Sequence, residues 1–397
     1  MRKLSMNWLF VWFLVLLLPV LLLSTSCDTR RNRDRDNPLM PEDSATRVVF
    51  SEIEDVIDVQ VQAVQSKDET LYLSTIFSGN ETYFNESRYL ARRLPYAPLS
   101  DFQMTLLHVS AESPTSAIAQ IQQSYLMNGT LNEVTFHERF LKDGGRWLDN
   151  DIAFEQVVLG ELTVFYTLDI PDLERFVDAV SQSIENVKTT FPDPLSGQLE
   201  IKLYSNQELL RQKTDLSIAW LFTGWAEEGH AIKAFTGRES DYSYEGLFTH
   251  ELIHKLTIFE SRGNMPLWFA EGLAIHYGTN RVLGSNYVEQ GKVNGDAVKM
   301  TLDQLRDIPL EKLTVQSEIL TYYATAGLYL EYLADSYGDE AVFQLYRGLG
   351  AYPKSDMTTD PTWASHADER LEAVIKEVIG QTLDQISEGY LKWLEGS

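Results

Sequence analysis

Cysteine is all but absent from this chain: its 397 residues contain one, Cys27. A lone thiol closes no intramolecular disulfide, so stability must come from a hydrophobic core, and a body of about 350 residues is ample for one. Basic residues are scarce as well, with 33 Lys and Arg against 58 Asp and Glu and a formal net charge of −25. That balance argues against nucleic acid as a partner and against a surface lying flat on an anionic bilayer. Long apolar runs are missing too. The longest, from Trp8 to Leu23, covers 16 residues and is interrupted by Pro19, short of the roughly 20 that a helix needs to span a bilayer. The chain has no internal repeat and no long low-complexity segment.

The flanks of that apolar run give it a meaning. Arg2 and Lys3 precede it, and Ser24-Thr25-Ser26 lead from it to Cys27, which is the charged, apolar and small-residue order of an export signal. Cys27 stands where a bacterial lipoprotein carries its lipid, although Leu23 lies four positions before it where three is usual. Residues 1–27 therefore read as a signal peptide ending at a lipid-bearing Cys27, with a signal anchor or plain secretion as alternatives. All three give an extracytoplasmic address. Residues 28–44 are charged, contain proline and have almost no apolar side chains, as expected of a flexible tether. With a bacterial-type start, the Asn-x-Ser/Thr sequons at Asn80, Asn85 and Asn128 read as chance.

The chemistry-bearing pattern is His250-Glu251-Leu252-Ile253-His254, followed 17 positions later by Glu271 inside Trp268-Phe269-Ala270-Glu271-Gly272. Residues four apart on a helix stack one turn above each other, so His250 and His254 converge on one point. Glu251 is rotated to the flank, where it can reach an attacking water without ligating a metal. Glu271 completes a His2Glu set that leaves a fourth position open, the arrangement of a catalytic zinc site. Chance yields such a pentapeptide in roughly one chain of this length in a hundred, so context decides. A helix over residues 244–259 places Phe248, Leu252, Leu256 and Phe259 on one core stripe. Arg262-Gly263-Asn264-Met265-Pro266 then breaks the chain, and Pro266 can open a second helix that carries Glu271. His276 follows Glu271 by five, off the ligand face. His108, His137, His230 and His366 read as surface or structural.

These residues resemble the gluzincin metallopeptidases, most closely the bacterial peptidase MA-like group, in which an HExxH helix precedes a helix with a Trp-x-x-Glu-Gly core. The resemblance implies Zn2+ as cofactor, His250, His254 and Glu271 as its ligands, Glu251 as general base, and a peptide or protein as substrate. It also implies an oxyanion-stabilising Tyr at the start of a helix that ends in Tyr-Gly. The segment from Tyr323 to Gly338 has that layout, which makes Tyr323 the candidate and Tyr322 its rival. This sequence departs from the pattern in a slightly shorter His-to-Glu interval than in the aminopeptidase branch, in Ala270 where asparagine is common, and in the charge of Lys255. No exopeptidase signature precedes the motif.

The expected fold class is α+β, a small helix-plus-antiparallel-sheet domain over residues 45–151 followed by a largely helical zincin-like domain over 152–397. The first has a long amphipathic helix with Val49, Ile53, Val56, Ile57, Val61 and Val64 among its apolar positions. Alternation through Val134, Phe136, Glu138 and Phe140 follows, and Lys142-Asp143-Gly144-Gly145 supplies a hairpin turn. This order resembles the ketosteroid-isomerase or nuclear-transport-factor-2-like cone fold, a topological likeness that carries little function; the domain reads as an interaction or spacer module. In the second, Val164-Phe165-Tyr166, residues 199–203 and residues 231–235 read as strands, with a helix around 173–187. By the gluzincin resemblance, residues 230–235 are the expected peptide-binding edge. The functional reading is a membrane-tethered extracytoplasmic zinc peptidase. The alternatives are a non-catalytic binding or scaffold lipoprotein on the same fold, and a zinc hydrolase of non-peptide amides.

Overall fold

A stripe of buried side chains at helical spacing makes the first long helix. In α1 (Ser44–Ser66), Phe50, Ile53, Ile57, Gln60 and Val64 face inward, while Val49, Val56 and Val61 are half-buried at its margins. The Asp43 carboxylate accepts the free N–H groups of Ala45 and Thr46 at its start, as an N-cap should. The computed structural model describes residues 39, 41 and 43–396, apart from 171, 196–197, 219, 238–243, 281–297 and 361. The signal-like segment with Cys27 and most of the tether lie outside the described residues. Among the described residues no helix is long and apolar enough to cross a membrane.

Two short helices, α2 (Glu69–Leu73) and α3 (Glu81–Arg93), lead into a four-stranded antiparallel sheet. Its strands β1 (Leu99–Ser113), β2 (Ser116–Met127), β3 (Thr130–Asp143) and β4 (Arg146–Ile152) pair in chain order. Burial along β2 alternates without a break, the mark of a sheet with one face on a core. Between β3 and β4, Gly144 and Gly145 adopt φ of +54° and +84°, a two-residue turn in the left-handed region that glycine enters without strain.

The second sheet is mixed, in the order β5 (Glu155–Leu159), β6 (Leu162–Tyr166), β7 (Leu199–Tyr204), β9 (Ile232–Phe235), β8 (Gly224–Trp225). The inner strands β6, β7 and β9 run parallel, and the outer two pair antiparallel. The strand over residues 230–235 is therefore not the sheet edge. After α5 (Gln207–Gln212) the chain turns back, and β8 pairs Gly224 with Ala234 and Trp225 with Lys233, taking the outer position itself.

Helix α4 (Leu173–Thr190) joins β6 to β7 and packs on α6 (Tyr244–Ser261). The chain then continues through α7 (Leu267–Leu273), a π-helical turn at Ala274–Asn280, α8 (Leu302–Arg306), α9 (Gln316–Tyr337), α10 (Asp339–Leu349), α11 (Trp363–Val378) and α12 (Leu383–Gly396). The architecture is thus α+β, with an N-terminal helix on an antiparallel sheet, a mixed sheet, and a largely helical C-terminal region. Helix α6 is buried around most of its circumference. Phe248, Leu252 and Leu256 lie in the core as expected, but Phe259 is 52% exposed because burial in the last turn of α6 shifts to the face of Thr257 and Ser261.

The two sheets meet through buried charge. Lys202 of β7 donates to Glu86 of α3 at 2.7 Å and lies 2.5 Å from Asp151 of β4. Lys233 of β9 lies 3.2 Å from the same Glu86 oxygen, whose partner oxygen accepts the Ala231 N–H at 3.0 Å. Arg93 pairs with Asp215 at 2.8 Å, and Lys213 with Glu138. Polar side chains here do what a hydrophobic seam does elsewhere, and each charge faces an opposite one, as burial of a charge requires, with Glu138 Oε2 buried without a hydrogen bond.

Candidate metal centre

Helix α6 carries His250 and His254 one turn apart, with their Nε2 atoms 3.0 Å from each other. The second helix of the motif delivers Glu271, whose Oε2 lies 3.4 Å from each of those nitrogens. The ligand atoms of the three residues all fall within 4.8 Å of one another. His276, on the π-helical turn, is outside the group and packs on Tyr277.

The turn between the two helices sets this geometry. Arg262 and Gly263 take φ of +55° and +71° and end α6; a Cβ on Gly263 would stand 2.4 Å from the Ser355 carbonyl oxygen. Asn264, fully buried, donates its amide to the carbonyls of Ser261, Leu349 and Pro353 at 3.0, 3.3 and 3.1 Å. Pro266 is the N-cap of α7, as its position in the sequence predicts. Gly272 lets α7 press against α9, since a Cβ there would meet Leu330 Cδ2 at 2.3 Å and the Ala326 oxygen at 2.6 Å. The Gly after the ligand Glu is therefore a packing requirement.

The donor set suits a divalent cation. The two imidazole nitrogens and the carboxylate face one another, and Glu271 Oε2 is buried without a hydrogen bond. Burial alone would push the Glu271 carboxyl up and the His254 imidazole down. Their mutual attraction reverses both, holding Glu271 at about 2 and His254 at about 9. A divalent cation competes with protons for these ligands, so loading weakens as pH falls. Two imidazoles and a carboxylate are zinc ligands by chemistry.

Glu251 approaches the edge strand β8 beside the triad. Its carboxylate fills the space that a side chain on Gly224 of β8 would need, since a Cβ there would stand 2.1 Å from Oε1. Burial raises the Glu251 pKa against the opposing pull of His250 and His254. Tyr323 is half-buried on the wall of the same cleft, whereas Tyr322 is 2% exposed and turned into the core. Helix α9 begins at Gln316, so Tyr323 lies about two turns inside the helix and not at its start.

Several neighbours are not legible in the motif. Lys255 donates to the backbone carbonyls of His230 and Glu227, tying α6 to the segment after β8. Burial pushes the Glu227 carboxyl up to about 8 despite the nearby His254. Asn85, Arg88, Tyr89 and Arg92 of α3 line the cleft beside the triad. The first module thus lends α3 to the wall of the cleft. No local signal marks this role: α3 carries Glu86, Ser87 and Arg93 on its buried side, where polar residues would ordinarily be read as solvated.

The fold and site together define an α+β protein with a His250-His254-Glu271 triad of HExxH…E spacing, consistent with a zinc site. The chain matches no family model, and no curated protein is found to be similar to it.

Proposed function

We propose that the protein is a zinc-dependent peptidase, held outside the cytoplasm by a lipid on Cys27 and acting on peptides or proteins there. The observation that carries this reading is the convergence of three ligands, a raised-pKa carboxylate and a phenol on one cleft. His250, His254 and Glu271 would hold the ion. When bound, zinc supplies Lewis acidity, polarising a carbonyl and lowering the pKa of a water to about 7.

The remaining steps belong to the chain. Glu251 takes the proton of the attacking water and later delivers it to the leaving amine, a role that favours a carboxylate whose pKa has been raised toward neutrality. Tyr323 donates its hydroxyl to the carbonyl oxygen as negative charge develops there. The outer strand β8 offers main-chain groups to an extended substrate, as sheet edges do. Glu251→Gln tests the reading, with zinc content measured alongside cleavage of a mixed peptide library. Retained zinc with hydrolysis lowered by several orders of magnitude supports it, and wild-type cleavage by the variant refutes it.

A further inference from the structure

The proposed catalytic centre stands at the junction of two concavities. One, of about 340 Å³, runs from the triad along α3 toward residues 354–358. The other, of about 420 Å³, lies between β8 and the first turns of α9, with Gln207, Leu221, Leu247, Ile319 and Leu320 on walls that the first does not share. His250, Glu251, Tyr323 and Gly224 line both. Each is large enough for a drug-sized ligand, which corresponds to two or more residues of an extended chain at about 3.3 Å per residue.

The two sides differ in chemistry. Among the described residues, the second concavity has no ionisable lining side chain but Tyr323 apart from the shared His250 and Glu251; Leu221, Leu247, Ile275, Ile319 and Leu320 supply its apolar surface. A chain terminus placed there would lose its hydration with no counter-charge, which is costly. The first side carries charges of both signs, several already paired: Arg92 with Glu69 and Asp356, and Lys354 with Glu228. Such a wall suits a passing main chain with varied side chains more than a single terminal charge.

Resting on the peptidase reading, we infer that this protein is an endopeptidase: it cleaves internal bonds of an extended chain that continues on both sides of the metal centre, with a bulky apolar residue seated between Leu221 and Leu320. Neither end of the substrate is recognised. Leu221 is 49% exposed, so charge introduced there changes the concavity without unfolding the core.

The test uses the zinc-loaded full chain and internally quenched ten-residue peptides that are acetylated and amidated, set against the same peptides with free ends. Blocked and free peptides are expected to be cut at similar rates, at an internal bond, with Leu or Phe beside the cut favoured at least tenfold over Asp or Lys. Leu221→Asp and Leu320→Asp should each lower cleavage beside Leu at least tenfold and raise it beside Lys or Arg. Loss of cleavage on acetylation overturns the inference and assigns the first concavity, through Glu227, to a terminal amine. Loss on amidation overturns it in favour of a terminal carboxylate, and an apolar preference untouched by both variants overturns the assignment of the second concavity. If no peptide of either set is cut, the peptidase reading itself fails, an outcome distinct from the others.

Discussion

Removing the charge of Glu86 should uncouple the first sheet from the metal-bearing part of the molecule. Its carboxylate is 2% exposed and faces two ammonium groups, Lys202 at 2.7 Å and Lys233 at 3.2 Å. In Glu86→Gln those two cations are left with one carboxylate, Asp151, which already serves Lys202. Breaking a buried ion pair by removing one partner costs about 3–5 kcal/mol. With an unfolding entropy of roughly 2 cal/mol/K per residue over about 350 residues, that is a fall in Tm of about 4–7 °C. Burial alone would push the Glu86 carboxyl up, but Lys202 and Lys233 overcome it and hold it down from 4.5 to about 2. The folded pKa is thus below the unfolded one, so the stabilisation is complete above pH 4.5 and is lost as pH falls toward 2. Calorimetry of wild type and variant at pH 7, 5 and 3 reads this as a Tm gap that is constant at the first two and narrows at the third. A gap below 1 °C at pH 7, or one that widens on acidification, would refute the account of the interface.

The other expectations concern the site and the address. Tyr323→Phe should lower kcat by about two orders of magnitude, or about 3 kcal/mol, with little change in KM; steady-state kinetics showing the loss in Tyr322→Phe instead would reassign the donor. Gly224→Ala should displace the Glu251 carboxylate, leaving zinc bound by elemental analysis while kcat falls at least tenfold; unchanged kcat would show that the close approach has no catalytic consequence. Asn264→Ala leaves the carbonyls of Ser261, Leu349 and Pro353 without their donor and should weaken zinc affinity tenfold or more, read by competition with a chelator. Mass spectrometry of the mature N-terminus is expected to find a diacylglyceryl group on Cys27, and an unmodified Cys27 or a retained Met1 would replace the lipoprotein reading with secretion or a signal anchor.

What was legible in the sequence is what short-range chemistry dictates. His250 and His254 share a face because of helical spacing, and Pro266 and Gly263 announce the break between the ligand helices. Gly144 and Gly145 announce the hairpin. What was not legible depends on where the chain returns. Nothing local distinguishes residues 231–235 as an inner strand, because that role is created by the two-residue β8 laid against it from an earlier loop. Phe259 carries the core periodicity, but in the last turn of its helix the buried face is that of Thr257 and Ser261. The part that α3 plays in the cleft was hidden for the same reason: Glu86 and Arg93 look like ordinary surface charges until Lys202 and Asp215 are seen opposite them.

The stapling of the turn after α6 has a bearing on when the site comes into being. Two of the three carbonyls that hold Asn264 belong to Leu349 and Pro353, and the Ser355 N–H closes on the Arg262 oxygen at 3.0 Å. Arg92 pairs with Asp356 across 264 positions of chain. A growing polypeptide that has reached Glu271 therefore owns every ligand and still lacks the clamp that sets their spacing. Contacts of such long separation form late. The spacing of the three ligands is thus set only once residues 349–356 have been made and have returned to the turn after α6.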